Sequence, residues 1–191
     1  MTVKELVQKT RSYRRFYEDV LIERFTLEEL TNFARLSASA KNLQPIRYWL
    51  SYTPHENEKI FPCLGWAGFL KDWVHPQKGE RPSGYIILLE DTSVNSRWIS
   101  HDLGIAAQNI LLGATEKELG GCIIAAINKH QMRTELNIPE RYEIHLVLAL
   151  GKPKETVVID TVKLDGDTKY WRDDNDIHHV PKRRLEDIIL N

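Results

Sequence analysis

The chain has 191 residues, 42% hydrophobic and 28% charged, with a formal net charge of -1. That length suits one domain with a sizeable core, and so small a charge excludes a dedicated nucleic-acid binder, which carries a clear basic excess. No apolar run approaches the roughly 18 residues that cross a bilayer, and Met1 to Lys9 lacks the apolar core of a secretory signal, so a cytoplasmic protein is expected.

Val3, Leu6 and Val7 give Val3 to Thr10 the stripe of a short amphipathic helix. Arg11-Ser-Tyr-Arg-Arg-Phe16 follows, with no acid between Lys9 and Arg15. A guanidinium is a fixed fork of donors that matches phosphate oxygens, and a flanking serine adds another donor. The stretch reads either as a solvated basic turn or as a site for the phosphate end of a small cofactor, with Arg15 the member left to solvent. Thr26 and Glu29 then form a capping-box pattern before a helix from Leu27 that carries Leu30, Phe33, Ala34 and Leu36 on one face. Ser37 to Pro45 is small and polar; it offers donors and acceptors to a ligand, or simply connects a helix to a strand.

Ile46 to Thr53 is aromatic and β-prone, so a strand. Residues 54–82 lack periodicity, with Phe61, Trp66, Phe69 and Trp73 among prolines and glycines; a segment this long covers a site or packs on a partner. Tyr85 to Leu89 is a buried-type strand, and the longest periodic element runs from Ser96 to Leu119. Between Leu103 and Ala114 its only strongly polar residues are Gln108 and Asn109, so it is buried on most sides, against a second subunit or within a large monomer core. Leu119-Gly-Gly-Cys122 is a break, read as a helix cap or as a close backbone approach to a ligand, and it leads into a small, apolar strand-like run to Ala126.

Asn128 to Leu136 is a short helix and Ile144 to Leu150 a strand. Cys63 and Cys122 show no metal-type spacing and read as buried free thiols. Glu155 to Ile177 has no periodicity, and Asp165-Gly-Asp167 fails the spacing of an EF-hand. His178-His179 has no further spaced ligands, so no metal site is expected. Leu185, Ile188 and Ile189 make the stripe of a closing helix, with Lys182 to Arg184 at its start. Cations oppose the helix dipole there, but a basic helix start suits a phosphate. The two basic clusters are therefore expected to converge on one anion.

Taken in this order, the stretches resemble the nitroreductase family of FMN-dependent oxidoreductases over nearly the whole chain. Arg11 to Phe16 is similar to the family's N-terminal basic signature, and Ser39, Asn42, Gln44 and Pro45 to its small polar segment. Asp102 to Leu112 resembles the central helix, Leu119 to Cys122 the break after it, and Pro181 to Leu185 the C-terminal basic motif. The resemblance implies an α+β fold, with a mostly antiparallel sheet flanked by helices, in one domain over residues 1–191. It further implies an intertwined homodimer with FMN at the subunit interface, 54–82 over the pocket, and 155–191 as an extension reaching the flavin phosphate and the partner.

By the same resemblance Arg11, Ser12, Arg14, Lys182 and Arg184 would hold the phosphate and ribityl end. Ser39, Asn42 and Gln44 would come to the ring or ribityl from the partner, and a strand backbone at Ile124 and Ala125 would pass beside the ring. Thr10, Ala38 and Ile46 depart from the family's usual basic, proline and aromatic residues. The implied activity is NAD(P)H-dependent, ping-pong reduction of a small organic acceptor such as a nitroaromatic or a quinone, by hydride transfer through flavin N5. No catalytic side chain is implied. The alternative is an FMN-binding protein without NAD(P)H-dependent turnover.

Overall fold

The computed structural model describes residues 1–70 and 73–191. A five-stranded, all-antiparallel sheet forms its centre. It comprises β1 (Phe16–Tyr17), β2 (Ile46–Ser51), β3 (Gly84–Asp91), β4 (Gly120–Ile124) and β5 (Tyr142–Pro153). The long strand β5 pairs with β3 along one edge and with β4 and then β1 along the other, while β2 closes the β3 side.

Side chains alternate across a strand, and β3 shows what that does. Ile86 and Leu88 face α2 (Arg24–Arg35) and α4 (Ile99–Glu116), meeting Leu27, Leu30, Ala107 and Ile110. Tyr85, Ile87 and Leu89 face the other way, onto α3 (Pro54–Ile60) and α5 (Lys129–Leu136), with Ile60, Phe61, Trp66 and Met132. The strand is thus apolar on both faces because both faces are covered. The expected α+β architecture is what the chain adopts.

Local signals explain most of the boundaries. Helix α1 (Val3–Lys9) opens with a capping box, in which Thr2 Oγ1 accepts from the Glu5 N–H and Glu5 accepts from the Thr2 N–H. The box expected at Thr26 and Glu29 does not form. Helix α2 begins three residues earlier than expected, at Arg24, with Glu23 at the cap and no side-chain capping bond. Part of 54–82 is regular, contrary to expectation. Thr53 accepts from the Glu56 N–H and Pro54 takes the first helical position, which together start α3. Phe61 and Trp66 are committed to the core; residues 71 and 72 of that segment lie outside the described residues.

The chain beyond residue 153 also departs from expectation. Val157–Val162 (β6) runs parallel to His178–Arg183 (β8), and Trp171–Arg172 (β7) pairs antiparallel to β8, making a second, three-stranded sheet. The closing helix is a single 3-10 turn, Leu185–Asp187. Most of a helix's stability in a protein comes from packing its apolar face, and here Leu185, Ile188 and Ile189 are all exposed. Among the described residues no helix is long and apolar enough to cross a membrane, and both cysteines are buried and free.

Candidate functional site

The Arg11–Phe16 segment is held in place before its side chains are considered. Thr10 caps α1 and is buried, its hydroxyl 2.8 Å from that of Thr115 on α4. Ser12 makes a parallel bridge with Gly121, and the Tyr13 N–H donates to the Gly121 carbonyl at 3.0 Å. The fully buried Glu155 carboxylate accepts from the main-chain N–H groups of both Arg14 and Arg15, and pairs with Arg172 at 2.5 Å. The segment is thereby sewn between α4, β4 and the turn after β5.

A cavity of about 300 Å³ opens beside it. Thr10, Arg11, Ser12 and Arg14 form one wall, Gln108 and Leu111 of α4 a second, and Ile123 of β4 a third. The second sheet closes it with His178, Val180 and Lys182, and Tyr170, just before β7, completes the lining. The two basic clusters do converge, but Lys182 arrives on a strand, so the helix-start rationale given for it does not hold. Among the described residues no acidic one lines the cavity.

Charge pairing separates the basic residues into two groups. Arg15 is not left to solvent as expected: it binds Glu80 through two bonds of 2.7 and 2.8 Å and also pairs with Asp176. Arg172 pairs with Glu155, and Arg184 turns to Asp187 and Glu186 on its own 3-10 turn, off the cavity. Arg11, Arg14 and Lys182, the three that line the cavity, have no carboxylate within ion-pairing reach among the described residues.

Arg14 is the extreme case, only 8% exposed. Its guanidinium reaches the Ser12 carbonyl and the His178 ring, both at 3.3 Å, and lies 4.6 Å from the centre of the Tyr170 ring. Arg11 donates to the Val7 carbonyl at 2.6 Å while its Nε is buried with no partner, and burial lowers its pKa. A buried cation without a counter-charge costs several kcal/mol. Arg14 carries that cost, and three cations around a donor-rich hollow with no acid among the described residues suit an anionic ligand chemically.

Ser39, Asn42 and Gln44 stand elsewhere. Ser39 Oγ donates to Asp102 at 2.6 Å and accepts from the Gln44 N–H at 3.0 Å, while the Ala40 N–H donates to the other Asp102 oxygen at 3.1 Å. Asp102 is buried in the first turn of α4, where the helix dipole favours a carboxylate. This anchor supports left-handed backbone at Lys41, Asn42 and Gln44, with φ of 53°, 55° and 50°. Asn42 and Gln44 are exposed, and Ser39 and Gln44 line a different cavity of about 180 Å³. One chain therefore does not bring these residues to the basic cavity. Replacing Asp102 by Ala should lower stability to urea by about 2–3 kcal/mol, since two donors lose a charged acceptor.

Ile124 is buried in the core on the α5 face, and Ala125 is exposed just past the end of β4. The residue that faces the cavity is Ile123, and strand alternation from the buried Cys122 and Ile124 was the available signal for it. Tyr170 and His178 carried no such signal, because β7, which Tyr170 immediately precedes, and β8, which His178 opens, were not read from the sequence.

A model of the Nitroreductase family matches residues 7–152. No curated protein matches the chain in sequence. Among solved structures, a nitroreductase family protein from Clostridium novyi NT superposes with a TM-score of 0.66 at 22% identity, over 81% of this chain and 86% of that one. An FMN-dependent nitroreductase from Clostridium difficile R20291 gives 0.62 at 24% identity, over 78% and 87%. A protein from Parabacteroides distasonis ATCC 8503, provisionally assigned as an NADH dehydrogenase/NAD(P)H nitroreductase, gives 0.67 at 20% identity, over 80% and 88%.

Proposed function

The chain belongs to the nitroreductase family, and from that premise we propose that it is an FMN-dependent oxidoreductase that draws on NAD(P)H to reduce a small organic acceptor, a nitroaromatic, a quinone or a similar compound. One observation carries this reading: three cations, Arg11, Arg14 and Lys182, surround a cavity with no acid or ion-pair partner for them among the described residues. The phosphate monoester of FMN is a dianion near neutral pH, and its three terminal oxygens match guanidinium forks. The cavity is at the small end of ligand pockets, which suits the phosphate end of the cofactor and leaves the ring outside it.

FMN held there would supply the hydride chemistry that links NAD(P)H to the acceptor, in a ping-pong cycle. The chain's own residues bind and orient. Arg11, Arg14 and Lys182 donate to the phosphate, the Ser12 hydroxyl adds a donor, and Ile123 offers an apolar wall. Ile124 and Ala125 serve the ring through their backbone, since the Ile124 side chain is committed to the core. Arg184 steadies the turn after β8 rather than the phosphate. No side chain is assigned as an acid, base or nucleophile.

Ser39, Asn42 and Gln44 reach the flavin from a second copy of the chain. The packed helices α1, α2 and α4 expose Val7, Phe33, Leu36 and Ile105, and the tail exposes Leu185, Ile188, Ile189 and Leu190. Apolar surface of that extent is ordinarily covered, and a homodimer covers it. A reducing cytoplasm suits the two free thiols.

The test is spectroscopic. The purified protein should carry a yellow chromophore that bleaches on anaerobic addition of NADH or NADPH, and regains colour with a quinone or nitroaromatic. A chromophore that bleaches with neither nucleotide leaves cofactor binding without turnover. A colourless protein with no affinity for FMN, or a one-chain mass by light scattering, removes the cofactor or the dimer respectively.

A further inference from the structure

The family match ends at residue 152, yet most of what fixes Arg14 lies beyond it. Glu155 holds its main-chain N–H, and Tyr170 and His178 hold its side chain. Arginine has five donors and no acceptor. At 3.3 Å from Arg14 Nη1, His178 Nε2 is placed to accept, as it does in the neutral imidazole with its proton on Nδ1, an atom buried without a partner among the described residues. Burial, with the Arg14 and Arg172 charges beside it, pushes the His178 pKa down to about 4, in keeping with that neutral form. The ring is 1% exposed and packs 5.3 Å from Tyr170, whose other neighbour is Phe69 at 5.1 Å.

The groups that orient this guanidinium, His178, Tyr170 and the Ser12 carbonyl, are all uncharged. A carboxylate in place of His178 would hold the fork equally well, and would also cancel its charge, as Glu80 does for Arg15 and Glu155 for Arg172. We infer that His178 and Tyr170 are positioning residues for the cofactor phosphate, a neutral mount that fixes Arg14 while leaving its full charge to the ligand. The inference rests on the FMN reading above. It assigns the second sheet a task at the anion end of the site, performed by residues that touch Arg14 and need not touch the flavin.

Affinity for FMN compared with riboflavin, which lacks the phosphate, isolates this effect from general damage to the fold. Flavin fluorescence titrations on His178→Leu should show FMN binding weakened about tenfold or more, the loss of one charged hydrogen bond, with riboflavin binding unchanged. His178→Gln, which offers a neutral acceptor, should restore FMN to within about threefold of the parent. His178→Glu should be the weakest of the three for FMN, because it orients Arg14 and neutralises it. Tyr170→Leu, at a half-buried position, should lower the FMN-to-riboflavin ratio on its own and serves where His178→Leu does not fold. A parent protein that binds neither flavin overturns the cofactor reading and this inference together. A parent that binds FMN, with His178→Leu or Tyr170→Leu keeping the parent ratio or His178→Glu binding as well as Gln, overturns this inference alone.

Discussion

Arg14→Met is expected to bind FMN at least about a hundredfold more weakly than the parent while raising the melting temperature of the flavin-free protein. The two effects have one cause. Arg14 is 92% buried, by difference from its 8% exposure, and no carboxylate pairs with it among the described residues. In the flavin-free chain its desolvation is offset, among the described residues, by uncharged groups such as a carbonyl, an imidazole and a ring face. Replacing buried charge by apolar side chains of similar volume is often neutral or stabilising by about 1–4 kcal/mol. Methionine also keeps a soft, polarisable contact with Tyr170. With FMN bound the sign reverses, because the phosphate then loses a desolvated, charge-assisted partner, a change that costs about 2–5 kcal/mol at buried charged contacts. Fluorescence titration reads the first effect and calorimetry of the apoprotein the second. A variant that melts lower without flavin makes Arg14 part of the scaffold, and one that keeps parental FMN affinity removes it from the phosphate.

This trade of apoprotein stability for ligand charge marks how far the sequence can be read. That Arg11, Ser12, Arg14 and Lys182 would stand around one cavity was legible, because guanidinium spacing is itself chemistry and Lys182 repeats cationic chemistry near the other end. The central sheet and α4 were legible because runs such as Tyr85 to Leu89, and the apolar stretch within Leu103 to Ala114, carry their burial in composition. What failed was everything decided by partners distant in the chain. Arg15 looks like its neighbours until Glu80 and Asp176 are brought to it. Lys182 and Arg183 look like a helix start until β6 pairs with β8 across a parallel register that no local pattern announces. Thr26 and Glu29 match a capping box, yet the helix starts at Arg24, so a pattern match lost to the packing of Leu27 and Leu30. The Ser39 to Gln44 segment was legible as polar, but its anchor on Asp102, sixty-odd positions away, was not.

The second large effect is expected at Gly121, where Gly121→Val should lower stability by about 3 kcal/mol or more and weaken FMN binding even in the fraction that stays folded. A Cβ at this position would stand 2.7 Å from Leu150 Cδ2, 2.8 Å from the Ala149 carbonyl oxygen and 2.9 Å from Leu111 Cδ2. Two of those atoms end flexible side chains; the carbonyl belongs to β5, in the middle of the sheet, and has nowhere to go. Valine adds two further methyl groups to that clash, so β4 must move away from β5. Ser12 is bridged to Gly121 and the Tyr13 N–H bonds to its carbonyl, so the displacement passes directly to the segment carrying Arg11 and Arg14. Denaturant unfolding measures the stability term, and FMN titration below the midpoint measures the other. A variant destabilised by that amount that still binds FMN like the parent would show that the basic segment keeps its geometry without β4, and that α4 and Glu155 suffice to hold it.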